Sequence, residues 1–412
     1  MASERTPAIV YDDGRGLLAP LTDLRASFDV RTGALTTLER LRTALRLEVM
    51  RLFVPPELAG VTTEAHPEAV NTPLDPTPPD ATATPVLVIN GRCPLPLDEI
   101  SALNAGERLV ESDTGDTIAA RLSPDDAVRV ALGGEVEATA VAYEGRALLA
   151  RPWHVRSSRD EALETDLGLI LAGQSRMAPT GGVTIVPGHE LRLHPDARIY
   201  PGVTLDLEQG PIVIDAGAVI RPGAVVIGPV YVGRDSQVLD QALIKPQTAI
   251  GPVCKVAGEV GGTIFQGHAN KAHDGHLGDS WIGAWVNLGA GTTNSNLLNT
   301  YGEVSAQRTP AGPREPTGER YLGAIIGDHA KFSIGSMLMT GLVVHTGAMV
   351  ATSAAVNGCV PGFVWRTDAA DSVYRLDKFE HVARTVMGRR DVEPSPAYLA
   401  RLGQLHAAAN QY

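Results

Sequence analysis

Reading every sixth residue from Ile214 gives Ile214, Ile220, Val226, Val232, Val238, Ile244, Ile250 and Val256, an unbroken aliphatic column. The column returns as Ile282 and Leu288, and again as Ile326, Phe332, Leu338, Val344, Val350 and Val356. Gly, Pro, Asp and Ala fill the places between, as in IDAGAV and IRPGAV. A period of six is neither helical nor simple strand alternation. It fits a three-sided coil in which each short face sends one aliphatic side chain to the axis and small residues turn the corners. Three faces make about 18 residues per coil, so Gly181 to Trp365 holds on the order of eight to ten coils. A sandwich of short strands is the competing arrangement, but it does not call for one fixed phase over so long a run. A single coil leaves its inner face unburied, so stacking must close the core. Two stretches break the column. Gly261 to Leu277 is polar and His-rich, and Leu297 to Gly323 contains TPAGPREPTGERY, which must leave the coil as a loop.

The flanking regions have other textures. Pro7 to Tyr11 reads as a short strand entering a Gly loop, and Leu35 to Leu52 as a helix, from Leu38, Leu41, Leu45 and Leu47. Pro55 to Pro85, rich in Pro, Thr, Ala and Asp, reads as an extended loop. Val86 to Ile89 is a buried strand ending in Asn90-Gly91, and Asp160 to Leu171 a helix. From Ala370 onward the chain reads as helices covering a β-helix end or a neighbouring subunit, with Val373 to Met387 apolar at three- and four-residue steps. The domains expected are 1–178, 179–366 with the loop at about 297–323, and 367–412.

With 412 residues the chain is long enough for two or three domains. Its formal charge of -12 argues against non-specific nucleic-acid binding, which needs basic surface to displace phosphate counterions. An anionic substrate would have to be met by locally gathered cations. The three cysteines, Cys93, Cys254 and Cys359, are widely spaced without a CxxC pair, which fits a reduced cytoplasm better than a disulfide framework or a structural zinc site. Neither a signal peptide nor a transmembrane segment is read, so no membrane partner is expected.

The densest polar stretch, Gln266 to Asp279, holds His268, Lys271, His273, Asp274, His276 and Asp279. Acyl transfer to an amine needs a base, since a protonated amine is no nucleophile, and His is the natural one near neutral pH. A carboxylate can orient the imidazole, and backbone N–H groups at Gly-rich corners can face an oxyanion. Three other readings stay open here. The histidines could ligate a metal, although their spacing matches no standard signature. They could be solvated loop residues, and Asn287, Asn294 and Asn296 could be turn caps or an internal ladder.

The stretch HDGHLGDSWIGAWVNLGAGTTNSN closely resembles the acetyltransferase half of the bifunctional N-acetylglucosamine-1-phosphate uridyltransferase family. VINGR, GAGTTNSNLLNTYG, IGDHAK and the LDKF…ARTVMGRR tail resemble, over nearly the whole chain, the sugar nucleotidyltransferases of the alternative bacterial type. The resemblance implies an α/β N-terminal domain, reduced, nucleotidyltransferase-like and Rossmann-like. It also implies a left-handed parallel β-helix of hexapeptide repeats, a C-terminal helical tail, a homotrimer with clefts between subunits, and a place in cell-envelope biosynthesis. It implies acetyl-CoA or another acyl-CoA as co-substrate, and a sugar phosphate or nucleotide sugar as acceptor. It casts His273 as base and Glu259 as its partner; Asn287, Lys245, His276 and Lys271 as substrate contacts; and Ala290, Asn296 and Ala351 at the acyl-CoA. His276 and Leu297 stand where that family has Tyr, and Gly261 where it has a Lys.

Gly14-Arg-Gly-Leu-Leu-Ala-Pro-Leu-Thr22, followed by Gly33, resembles a nucleotidyltransferase start. This casts Gly14, Arg15, Gly16, Arg25 and Arg31 as nucleotide-binding, through backbone N–H groups and charge, with Asp12 and Asp13 beside them. Arg25-Ala-Ser-Phe28 replaces the usual Lys-Pro, and Asn90-Gly91-Arg92 stands where a metal-binding Gly-Asp is expected. Mg2+ is implied only if this domain is active, and it wants carboxylate oxygens. Three functions follow: acyl transfer, nucleotidyl transfer with the β-helix as assembly platform, and non-catalytic binding of sugar nucleotides by a trimer.

Overall fold

The computed structural model describes residues 5–74, 84–172 and 181–409. It divides into two compact units. Unit 1 comprises the chain up to Leu18, Leu24–Val30 and Leu35–Arg151; unit 2 comprises Ala19–Asp23, Arg31–Ala34 and everything from Pro152. The boundary expected at 178 lies outside the described residues. Helix His154–Leu171, expected only from Asp160, belongs with unit 2, because Arg159 near its start is bound there to Gly262 and Asp279.

Unit 1 is a seven-stranded mixed sheet in the order Ala69–Val70, Leu47–Phe53, Thr6–Tyr11, Val86–Asn90, Thr117–Leu122, Glu107–Glu111, Thr139–Tyr143. Its first four strands are parallel, and both Leu47–Phe53 and Val86–Asn90 pair with Thr6–Tyr11. The helix expected over Leu35–Leu52 is only Thr37–Ala44, started by a Thr36/Glu39 capping box. Arg46 adopts a left-handed φ of 52° and ends it, so Leu47 is buried in a strand instead. The expected loop Pro55–Pro85 also contains helix Ala59–Ala65 and strand Ala69–Val70, because Leu58, Val61 and Thr62 are buried; its residues 75–83 lie outside the described residues.

Unit 2 is a three-sided prism. Its first face is a nine-stranded parallel ladder from Leu191–Leu193 to Cys359–Val360. The second face starts at Arg198–Ile199 and continues through the bridges Asn270–Asn287 and Asn287–Lys331. The third starts at Thr184–Val186 and reaches His276–Gly278. The period-six residues are the core: Ile214, Ile220, Val226, Val232, Val238, Ile244, Ile250 and Val256 are all 0% exposed.

Gly261–Leu277 is not an interruption. Ile264–Phe265, Asn270–Lys271 and His276–Gly278 are hydrogen-bonded into the three ladders as an ordinary coil. The column vanished from the sequence because one corner is shortened, bringing Val260 inward four residues after Val256, and because Lys271 takes an inward place opposite Val256. The second break does leave the coil: Leu297 bridges Tyr321, and Ser305–Gln307 pairs antiparallel with Arg314–Pro316.

One corner, between the first and second faces, repeats a left-handed residue: Asp235, Val253, His268, Trp285, His329 and Phe363, with φ between 50° and 62°. From His268 onward it becomes aromatic. His268 stacks on Trp285 at 4.2 Å, and Trp285 on His329 at 6.3 Å. Helices Leu376–Gly388 and Pro396–Ala409 dock on this corner, with Phe379 edge-on to His329 and Phe363, and the Tyr398 hydroxyl 2.7 Å from His329 Nε2. Strand Asp371–Val373 precedes them in a hairpin with Val364–Thr367, where a helical start was expected.

Burial, with the Arg390 charge adding to it, pushes the His268 imidazole down to about 4. Between that value and the ordinary 6.5 the unfolded chain holds a proton that the folded one refuses, so this contribution is present above pH 6.5 and lost as pH falls towards 4. The His268→Phe chain should show a flatter urea midpoint across that window than the unaltered chain. Among the described residues no helix is long and apolar enough to cross a membrane.

Candidate functional site

The third face of unit 2 carries a polar shelf. Successive coils put Glu259 directly opposite His276. Glu259 Oε1 lies 3.1 Å from Lys245 Nζ and 4.0 Å from His276 Nε2. His276 Nδ1 is 3.3 Å from the Asn294 carbonyl, which suits an N–H there. A Cβ on Gly261 would sit 3.0 Å from the Cβ of Lys245, so the glycine leaves room for the lysine to reach Glu259. Beside the shelf, Asn296 Nδ2 donates to Asp279 Oδ2 at 2.8 Å, and Asp279 Oδ1 binds Arg159 Nη1 at 2.7 Å.

His273 lies on the exposed corner just before this face, and its ring has no hydrogen-bond or ion-pair partner among the described residues. Glu259 therefore meets His276 and Lys245 rather than His273. The three histidines do not gather: His268 is in the aromatic corner, His273 on another corner and His276 on the third face. Asn287 is on the second face, where it accepts a hydrogen bond from Asn270 at 2.8 Å, and Ala351 is exposed at the end of Met349–Ala351 on the same face. The Ala290 carbonyl accepts from Gly335 N. One chain thus keeps Asn287 apart from Lys245, Glu259 and His276.

Lys271, expected to touch substrate, does not. It is 1% exposed and turned into the prism, its Nζ donating to the carbonyls of His273 at 2.6 Å, Asp274 at 2.8 Å and Ala257 at 3.2 Å. Burial pushes its amine down to about 8. Its place in the structure is to fix, from inside, the corner that carries His273.

Unit 1 has its own cavity, of about 720 Å³, at the carboxyl ends of its parallel strands, where open α/β sheets place ligands. Tyr11, Asp12, Asp13, Gly14 and Arg15 follow one strand into it; Val54 to Glu57 and Asn71 follow the neighbouring two; Arg108, Asp116 and Gly133 to Glu135 close it. Of the expected nucleotide-binding residues, Gly14 and Arg15 line the cavity. Gly16 does not: a Cβ there would meet Arg92 Cδ at 2.7 Å, so it makes room for that side chain. Arg25 is not among the lining residues. Arg31 belongs to unit 2, is 7% exposed, and spends its guanidinium on the carbonyls of Ala34 and Gln266. A short side-chain reach to backbone acceptors outcompeted the expected phosphate role.

The carboxylates at this cavity do not suit a resident Mg2+. Asp13 accepts from Arg92 through both oxygens and from Asn90 Nδ2, and Asp116 accepts from Arg92 and Arg15. Asp12 accepts from the backbone N–H groups of Gly14 and Ser27. Sequence reasoning named Asp12 and Asp13 but missed Asp116 and Arg108. An Asp-Asp-Gly directly after a strand was the visible half of the signal; the other half comes from a strand paired far along the chain.

The family model described as "Sugar nucleotidyl transferase" matches residues 8–175. The bifunctional protein GlmU of Nostoc sp. is 29% identical over 158 residues, covering 33% of this chain and 34% of that protein. A bifunctional sugar-1-phosphate nucleotidylyltransferase/acetyltransferase of Sulfurisphaera tokodaii is 30% identical over 151 residues, covering 36% and 37%. The matches thus span little more than a third of these relatives' length. A hexapeptide transferase family protein from Anaplasma phagocytophilum is 16% identical with a TM-score of 0.21, covering 54% of this chain and 96% of its own, and adds no weight at that score. Residues 8–175 are thus similar to the sugar nucleotidyl transferases, and about a third of the chain is similar to bifunctional transferases of the GlmU type.

Proposed function

We propose that unit 2 transfers an acyl group from acyl-CoA, such as acetyl-CoA, to an amine on a sugar phosphate or nucleotide sugar. The observation that carries this reading is the shelf of Lys245, Glu259 and His276 on adjacent coils, Glu259 in register with His276 and ion-paired to Lys245, with the exposed His273 at its edge. Lys245, 46% exposed, can meet a substrate phosphate. His273 takes the proton of the attacking amine. His276, backed by Glu259, orients the sugar, and Lys271 holds the His273 corner still. A homotrimer would bring Asn287, Ala290, Asn296 and Ala351 of neighbouring copies to such a shelf. The test is thiol release from acetyl-CoA with amino-sugar phosphates and amino-nucleotide sugars. His273→Ala should slow turnover by about 10²-fold or more while far-UV circular dichroism stays unchanged. Full activity in that variant rejects His273 as base.

A second reading rests on the cavity of unit 1, into which Gly14 and Arg15 project. It receives the nucleotide part of a nucleotide triphosphate or nucleotide sugar, with nucleotidyl transfer onto a sugar-1-phosphate as the activity. Pyrophosphate release from any of the four nucleoside triphosphates with sugar-1-phosphates, lost in Arg15→Ala, would support it. No release with any pair leaves the unit a binding module.

A further inference from the structure

Arg92 in unit 1 is held by more acidic partners than a packing arginine needs. Its side chain is 3% exposed. Nε donates to Asp13 Oδ1 at 2.8 Å and Nη1 to the Leu149 carbonyl at 3.1 Å. Nη2 donates to Asp13 Oδ2 and to Asp116 Oδ2, each at 2.6 Å. One nitrogen thus stands at equal distance from an oxygen of each of two carboxylates, and both carboxylates line the cavity. Asn90 Nδ2 donates to Asp13 Oδ2 at 2.8 Å, and Asn90 Oδ1 accepts from the Arg92 backbone N–H, so the amide holds the aspartate and the arginine together. Two carboxylate oxygens converging on one point are the kind of donors that recruit a hard divalent cation, whose oxygens sit at about 2.0–2.6 Å. Here a guanidinium nitrogen fills that point.

We infer that Arg92 is the resident cation of unit 1, standing where a divalent ion would otherwise bind, so that its cavity receives a phosphate-bearing nucleotide ligand without a metal held by the protein. The physical grounds are plain. A guanidinium stays charged across the working pH range and is tethered by its own backbone, so it does not exchange with solvent ions. Asp13 shows the consequence: burial alone would raise its carboxyl, yet the Arg92 hydrogen bonds and charge hold it below the ordinary carboxylate value. Gly16 keeps the place open for the arginine. The cations left to face a ligand's phosphates in the cavity lining are Arg15 and Arg108, and Arg108 Nε is buried without a partner. A metal that takes part would then arrive with the ligand.

The functional meaning rests on the reading of unit 1 as a nucleotide site, but the test does not, and loss of acyl transfer in unit 2 would move none of its arms. Mn2+ is titrated into the full chain and the free ion followed by electron paramagnetic resonance. The unaltered chain should show no site tighter than about 1 mM that Asp13→Asn removes. Arg92→Met should gain one Mn2+ per chain at least about tenfold tighter than that limit, and the added Asp13→Asn change should abolish it. Arg92→Lys keeps a cation among the carboxylates and should stay free of Mn2+, which serves if Arg92→Met fails to fold. A site in the unaltered chain that Asp13→Asn removes would overturn the inference. So would folded Arg92→Met that binds no ion, or Arg92→Lys that binds one.

Discussion

Asp279→Ala should destabilise unit 2 by about 3–5 kcal/mol, the usual loss when one partner of a buried ion pair is removed. Arg159 has a side chain only 5% exposed, and its Nη1 is shared between Asp279 at 2.7 Å and the Gly262 carbonyl. Arg156 Nε lies 3.1 Å from the same carboxylate oxygen. Deleting the carboxylate leaves Arg159 and Arg156 to share the half-exposed Asp160, leaves Arg159 Nη1 without a charged partner, and strips Asn296 of its acceptor. Asp279→Asn keeps an oxygen for Arg159 and should cost roughly half as much, since a neutral acceptor makes the weaker bond. The four tryptophans of the chain, Trp153, Trp281, Trp285 and Trp365, all lie in unit 2, so urea unfolding followed by their fluorescence reads this unit without unit 1. A midpoint shift worth under about 1 kcal/mol for Asp279→Ala would show that Arg159 is adequately held without the pair.

The second large effect is expected at Trp285, which is 6% exposed and sandwiched between His268 and His329. Trp285→Ala removes the middle of the aromatic corner and leaves a cavity beneath it, at a cost of about 3–5 kcal/mol. The loss should travel outward. His329 positions Phe379 and Tyr398, the residues by which the two terminal helices dock, so amide exchange should quicken in Leu376–Gly388 and Pro396–Ala409. Trp285→Phe keeps a stacking face and should recover more than half of the stability, read from the three remaining tryptophans as above. Exchange in the helices that matches the unaltered chain would mean that their docking rests on Phe363 and Tyr374 instead, which also touch Phe379.

Much of the polar chemistry was visible along the chain as types of residue, but not as groups. Gln266 to Asp279 announced itself by composition, yet its three histidines go to three places and its lysine goes inside. In a prism, neighbours in sequence turn a corner and part, while residues one coil away meet. Glu259 and His276 are such a pair, and so are Lys245 and Glu259. In unit 1 the Arg92 cluster joins Asp13 and Asp116, contributed by strand ends whose adjacency depends on strand order.

The sequence by itself determined the prism, because a core that every coil must share forces the same aliphatic place every sixth residue, and that recurrence survives in one dimension. It also determined where the inner strand Val86–Asn90 and the loop beyond Leu297 would fall. Only the tertiary structure decided that Gly261–Leu277 stays in the coil, that Lys271 is satisfied by three carbonyls within it, and that an arginine stands between two aspartates. Those outcomes depend on which backbone carbonyls and carboxylates lie within about 3 Å of a charged group, a distance set by stacking and strand order rather than by spacing along the chain.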